Sequence, residues 1–233
     1  MIKVVLWDID NTLLDFIAAE RAAIRKCFSI FDMGECTDEM LAAYSAVNVR
    51  WWERLERGER TKPEILLGRF REFFSMYGRD PALAEAFNAE YQVRLGDTVV
   101  FFPGAKETVE ALKGRTLQCG VTNGTRIAQE RKLANSGLDR LLDKVFISED
   151  VGYEKPDRRY FDAVFAAIGD YAREEIMIVG DSLTSDMPGG VNAGLVTCWF
   201  NPGGKTNGTE LRIDREIRAI PEVLEILGKE RDG

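Results

Sequence analysis

The apolar run Ile2-Lys3-Val4-Val5-Leu6-Trp7 stops at two aspartates, Asp8 and Asp10, and this junction constrains the fold more than any other stretch. A short run that is apolar on both faces reads as a buried strand of a parallel sheet. Four more runs follow: "LQCGVTNG" at 117–124, "KVFISED" at 144–150, "EIMIVGD" at 175–181 and "VTCWFN" at 196–201. Between them lie helical segments, one entered from "TVVFFPG" and ending near Gly114, one ending at Gly137, then "RRYFDAVFAAIG" and the short "MPGGVNAG". A final helix is expected at "PEVLEILGK" and a flexible loop at 201–210. Strands alternating with helices predict an α/β core, a parallel sheet covered on both faces.

A different rhythm separates the first strand from the rest. Residues 15–31 place Ile17, Ile24, Phe28 and Phe31 on one helical face, and residues 38–57 repeat Tyr44, Val47, Trp51 and Leu55 at three- and four-residue steps. Thr61-Lys62-Pro63-Glu64 is a capping box with proline in the first turn, opening a third helix that closes at Gly78. A fourth runs from Asp80-Pro81 to about Gly96. Four amphipathic helices in a row predict a small bundle with its own core. The expected organisation is an α/β domain of residues 1–14 and 98–233, with residues 15–97 inserted as a helical domain.

Composition narrows the chemistry. At 233 residues the chain has material for one large domain or two small ones. It contains no histidine, which removes Ser-His-Asp and Cys-His catalysis and histidine-ligated zinc. A net charge of −8 argues against a nucleic-acid partner, although a local metal would still admit an anionic substrate. No stretch reaches the roughly 20 apolar residues that span a bilayer, and "MIKVVLWDID" lacks a signal-peptide layout. Cys27, Cys36, Cys119 and Cys198 are scattered, so reduced thiols and a cytoplasmic location are expected.

In open α/β sheets ligands bind beyond the carboxyl ends of the strands. There the chain places Asp8 and Asp10, then Thr122 and Asn123, then Lys155, then Asp181 with Asp186 beyond it. With side chains alternating along a strand, Asp8 and Asp10 point to one side, where two carboxylates repel and a bound cation is the obvious compensation. These parts suit phosphoryl transfer. A carboxylate can attack phosphorus, magnesium favours carboxylate, water and phosphate oxygens, and a hydroxyl, backbone N–H groups and a lysine can hold the transferring group. The other aspartate can pass a proton to the leaving oxygen and take one from water.

The motifs "DIDNT", "VTNG", "EKPD" and "GDSLTSD", in that order, resemble those of the haloacid dehalogenase superfamily, a Rossmann-like fold, and the helical insertion resembles its first type of α-helical cap. The resemblance implies Asp8 as nucleophile and Asp10 as general acid/base. It implies Thr122, Asn123 and Lys155 as phosphate-binding residues, and Asp8, the Asp10 carbonyl and Asp181 as Mg2+ ligands with Asp186 in support. Because the dehalogenases lack an acid two residues after the nucleophile, Asp10 points to a phosphatase. "YSAVNVRWWERLERGERT", "GRF", "VTNGTRIAQERKLANSGL" and "GGVNAGLVTCWFN" are similar to the pyrimidine 5′-nucleotidases of the YjjG type. That implies a small phosphorylated metabolite, a nucleoside monophosphate, as partner, with a sugar phosphate or phosphoglycolate, acted on by a phosphatase or a phosphomutase, as the alternative. In the inserted helices Trp52 is a candidate for stacking on a base, and Asn48 and Arg69 for reading its edge or the ribose, with Trp51 as core. Phe16, at the hinge side, is as suited to packing as to closing over a substrate. The oligomeric state is left open by the sequence.

Overall fold

The structure, a computed structural model, describes residues 1–229. In chain order its elements are β1 (Val4–Trp7), α1 (Phe16–Ile30), α2 (Asp38–Glu56), α3 (Lys62–Met76), α4 (Ala84–Asp97), α5 (Ala105–Leu112), β2 (Leu117–Thr122), α6 (Arg126–Ser136), α7 (Leu138–Leu141), β3 (Lys144–Ile147), α8 (Ser148–Val151), α9 (Arg158–Ile168), β4 (Ile176–Gly180), α10 (Asp186–Ala193), β5 (Val196–Phe200), β6 (Arg215–Ile217) and α11 (Glu222–Lys229). They group into two compact units. One comprises Met1–Asp15, Val100–Arg126 and the described chain from Ser136 to Lys229; the other comprises Phe16–Val99 and Ile127–Asn135.

In the first unit the described strands form one parallel sheet in the order β3-β2-β1-β4-β5-β6. β1 is buried along its whole length, as its apolar run demands, and Val4 pairs with both Leu117 and Ile176. One face of the sheet packs Leu6, Val121, Ile178 and Trp199 against Tyr160, Phe161 and Val164 of α9. A buried polar pair is satisfied internally: the Trp7 indole N–H donates to Gln118 Oε1 at 3.1 Å, and Gln118 Nε2 donates to the Val109 carbonyl at 2.9 Å.

Three details depart from the sequence expectations. Strand β6 was not foreseen, because "REI" is short, two of its three residues are exposed, and it carries no apolar alternation. The run at 144–150 divides: extended chain stops at Ile147 and Ser148 opens α8. The 201–210 loop lacks regular structure but is tied at its base, where Asn201 Nδ2 donates to the Lys205 carbonyl at 2.8 Å and Lys205 N–H donates to Asn201 Oδ1 at 2.9 Å. The two chain passages out of this unit lie side by side, joined by Asp15 N–H to the Val100 carbonyl at 2.8 Å and Phe102 N–H to the Leu13 carbonyl at 3.0 Å.

The second unit packs α1 to α4 around Tyr44, Phe28, Phe70, Phe73, Phe74, Phe87 and Tyr91, with Tyr44 and Phe70 stacked at 5.1 Å between centroids. Ala128 of α6 joins that cluster, and Asn135 Nδ2 donates to the Gly96 carbonyl at 3.0 Å. The Thr61–Glu64 capping box forms, with Glu64 Oε2 accepting from Thr61 N–H at 2.8 Å. Phe16 packs at the edge of the cluster, its ring 5.0 Å from Lys132 Nζ. Ile17 is exposed, because the buried stripe of α1 starts only at Ala19. Trp51 also lies outside the core: it is half-buried, its indole N–H donates to Glu72 Oε2 at 2.8 Å, and its ring lies against Gly68, where a Cβ would approach it to 2.3 Å. Among the described residues no helix is long and apolar enough to cross a membrane.

Candidate active site

The parallel strands end on one side of the sheet, and their ends carry the polar residues. Asp8 follows β1 directly and is held in line by its N–H donating to the Val179 carbonyl at 2.9 Å. Its carboxylate is nearly buried and both oxygens are engaged. Oδ1 accepts from Lys155 Nζ at 2.8 Å, and Oδ2 accepts from the Thr12 hydroxyl at 3.0 Å. Lys155 Nζ makes two further bonds, to Asp186 Oδ1 at 2.7 Å and to the Val121 carbonyl at 2.8 Å, which uses all three of its donors.

Electrostatics follow from this burial. Loss of water is the main cause that pushes the Asp8 carboxyl up to about 7; Asp186 adds to the rise and Lys155 opposes it. For Lys155 burial works against the charge, but Asp186 and Asp8 together outweigh it and hold the ammonium above the ordinary lysine value.

Asp8, Asp181 and Asp186 each offer a carboxylate oxygen, all within 4.8 Å of one another. An all-oxygen, all-anionic donor set fits a hard divalent cation. The raised Asp8 carboxyl is what such a set shows when a single lysine is the counter-charge. Asp186 stands inside this group, while the Asp10 carboxylate, half-buried two residues beyond Asp8, is not a member.

Thr122 ends β2 with its hydroxyl oxygen accepting from Gly124 N–H at 3.0 Å. Asn123 spends both ends of its amide on Lys155: Nδ2 donates to the Lys155 carbonyl and Oδ1 accepts from the Lys155 N–H, each at 2.8 Å. It thus pins the loop that carries the lysine. Thr12 and Gly180 were not singled out as site residues from the sequence. Thr12 closes the motif "DIDNT", but four residues beyond Asp8 in a loop its contact with that carboxylate is not readable from the sequence.

Gly180 is where the close approach shows most directly. A Cβ on it would lie 2.3 Å from Asp186 Oδ2. Gly180→Ala is therefore expected to displace Asp186, costing about 1–3 kcal/mol of stability from overpacking and weakening divalent-cation binding. Urea unfolding and calorimetric titration measure the two effects.

Asn48, Trp52 and Arg69 sit together inside the helical unit. Asn48 Nδ2 donates to Glu20 Oε2 at 2.7 Å, and its Oδ1 accepts from Arg69 Nη1 at 2.7 Å. Arg69 Nη2 donates to Asn88 Oδ1 at 3.1 Å, and its guanidinium lies 6.0 Å from the Trp52 ring centroid. Burial pushes the Glu20 carboxyl upward, against hydrogen bonds from Ser45 and Asn48 and the charge of Arg69. Asn48 and Arg69 are both buried, yet the Arg69 Nε–H has no hydrogen-bond partner.

A strand-end nucleophile candidate, a buried lysine and a carboxylate cluster on a parallel α/β sheet define a hydrolase class, and the chain belongs to it: residues 2–194 match the haloacid dehalogenase-like hydrolase family. The chain is 37% identical over 230 residues to the putative HAD-hydrolase YfnB of Bacillus subtilis, covering 98% of this chain and 96% of that protein. It is 33% identical to the pyrimidine 5′-nucleotidase PynA of Streptococcus pneumoniae, covering 97% and 95%, and 32% identical to the pyrimidine 5′-nucleotidase YjjG of Escherichia coli, covering 97% of each. The crystal structure of YfnB bound to magnesium matches this chain with a TM-score of 0.91 at 35% identity, over 97% of this chain and 98% of that one.

Proposed function

We propose that this protein is a cytoplasmic, magnesium-dependent phosphatase that hydrolyses phosphate monoesters through an aspartyl-phosphate on Asp8, with pyrimidine nucleoside 5′-monophosphates as its substrates. The observation that carries the reading is the Asp8–Lys155–Asp186 chain of hydrogen bonds at the strand ends, with Asp181 beside it. Magnesium held by Asp8, Asp181, Asp186 and the Asp10 carbonyl would supply positive charge that lets an anionic nucleophile approach an anionic phosphate.

The protein's own groups do the rest. An Asp8 oxygen attacks phosphorus as the ester P–O bond breaks, and Asp10 gives its proton to the leaving oxygen. Asp10 then takes a proton from water, whose oxygen attacks the same phosphorus, and the bond to Asp8 breaks to release phosphate. Lys155 balances charge on Asp8 and on the transferring group. The Thr122 hydroxyl, its oxygen already accepting from Gly124, has its O–H to give to a phosphate oxygen. Asn123 serves by fixing Lys155.

The substrate class rests on the two nucleotidase relatives. The four free thiols suit the cytoplasm.

Phosphate release from UMP, dUMP, dTMP, AMP, glucose 6-phosphate and phosphoglycolate, with magnesium and with a chelator, tests the reading. Magnesium-dependent turnover strongest on the pyrimidine nucleotides is expected. Turnover confined to glucose 6-phosphate or phosphoglycolate would overturn the substrate class and keep the chemistry.

A further inference from the structure

Trp199 lies on β5 in register with Gly180, the last residue of β4. Its side chain is almost fully buried in the sheet's apolar cluster, yet its indole N–H does not face apolar atoms: it donates to the main-chain carbonyl of Asp181 at 3.0 Å. An indole offers one donor and no acceptor, so this bond has a single direction and fixes the peptide it meets. That peptide carries one of the three clustered carboxylates.

The Asp8 and Asp186 carboxylates are held through their own oxygens. Asp8 is held by Lys155 and Thr12, and Asp186 by Lys155 and by Ser182 N–H at 3.2 Å. The segment between Asp181 and Asp186 is a tight loop in which Ser182 Oγ accepts from Thr184 N–H at 3.1 Å and Ser185 N–H at 3.0 Å. Trp199 ties the start of that loop to the neighbouring strand.

We propose that Trp199 is a positioning residue for divalent-cation binding, holding the Asp181 main chain so that its carboxylate stays in register with Asp8 and Asp186. The inference rests on the cation-dependent reading above and extends it to a residue outside the four motifs. Groups that orient metal ligands from behind typically contribute about 10–100-fold to metal affinity.

The test compares the wild-type protein with Trp199→Phe and with a site-specific replacement of Trp199 by β-(3-benzothienyl)alanine, which keeps the ring shape and lacks the N–H. Magnesium affinity is read by calorimetric titration, and metal-free melting temperature is read in a chelator. Expected is a loss of affinity of about tenfold or more in both variants, with the metal-free melting temperature of the benzothienyl protein unchanged. Wild-type affinity in the benzothienyl protein would overturn the proposal, as would a loss that appears only together with a lowered metal-free melting temperature. Wild-type protein that binds no magnesium would defeat the cation-dependent reading itself, a result visible before any variant is made.

Discussion

Asp8→Asn is expected to abolish phosphate release, by roughly four orders of magnitude or more as for other nucleophile removals, while making the metal-free protein more stable. The second half follows from burial. The Asp8 carboxyl is pushed up to about 7, first by loss of water and then by Asp186. A carboxyl raised in the folded state holds a proton that the unfolded chain has already released, so its contribution to stability is full below the ordinary value of about 4 and is lost as pH rises to about 7. The loss is on the order of a few kcal/mol. Asparagine cannot ionise, so urea unfolding in a chelator should show this falling slope in the wild-type protein and not in the variant. Saturating magnesium should flatten it in the wild type, since a bound cation favours the ionised form. A variant with wild-type activity, or one less stable than wild type at neutral pH without metal, would contradict the assignment.

Lys155→Met should have the opposite effect on stability. The ammonium is buried among Asp8, Asp186 and the Val121 carbonyl, and methionine keeps its length without its charge. Removing one partner from a buried ion network leaves the other charges uncompensated, at a cost of about 3–5 kcal/mol. Turnover should fall by roughly two to three orders of magnitude, the scale for loss of one charge-stabilising donor. Magnesium should restore part of the lost stability, because it neutralises the same carboxylates. Urea unfolding with and without magnesium reads both effects, and a variant as stable as wild type would show that Lys155 is not the counter-charge of this cluster.

The alternation of buried strands and helices was legible because each of the strands β1 to β5 lies in a short apolar run that ends in a polar cluster. The same rule makes the strand-end residues readable: Asp8, Thr122 and Asp181 each stand at, or one residue past, the last residue of β1, β2 and β4. Helical periodicity likewise exposed the aromatic core of the second unit, with Tyr44, Phe28 and the residues near them. What stayed hidden depends on contacts between distant positions. Nothing local distinguishes Trp199 from a core tryptophan until its N–H is seen on Asp181, and Gly180 reads as an ordinary strand-end glycine until Asp186 is seen against it. Trp51 followed the apolar stripe of α2, but Gly68 offers it a shallow seat on α3 and Glu72 a hydrogen bond, which keep it at the surface. The three residues of β6 pair with β5 although two of them are charged and exposed, so hydropathy gave no signal. Ile127–Asn135 illustrate a further limit: helix α6 follows directly after a core strand, yet packs with the inserted helices through Ala128 and Asn135.

The most direct test of the central claim is chemical identification of the phosphorylated residue. With 4-nitrophenyl phosphate the leaving phenolate needs no proton, so Asp10→Asn should still allow attack by Asp8 and then stall the hydrolysis that requires a general base. Quenching that variant after mixing with substrate and magnesium, reducing with borohydride and sequencing the peptides by mass spectrometry should reveal homoserine at position 8, the product of reducing an aspartyl-phosphate. Release of nitrophenolate with aspartate at position 8 unchanged, or homoserine at a different aspartate, would contradict Asp8 as the nucleophile.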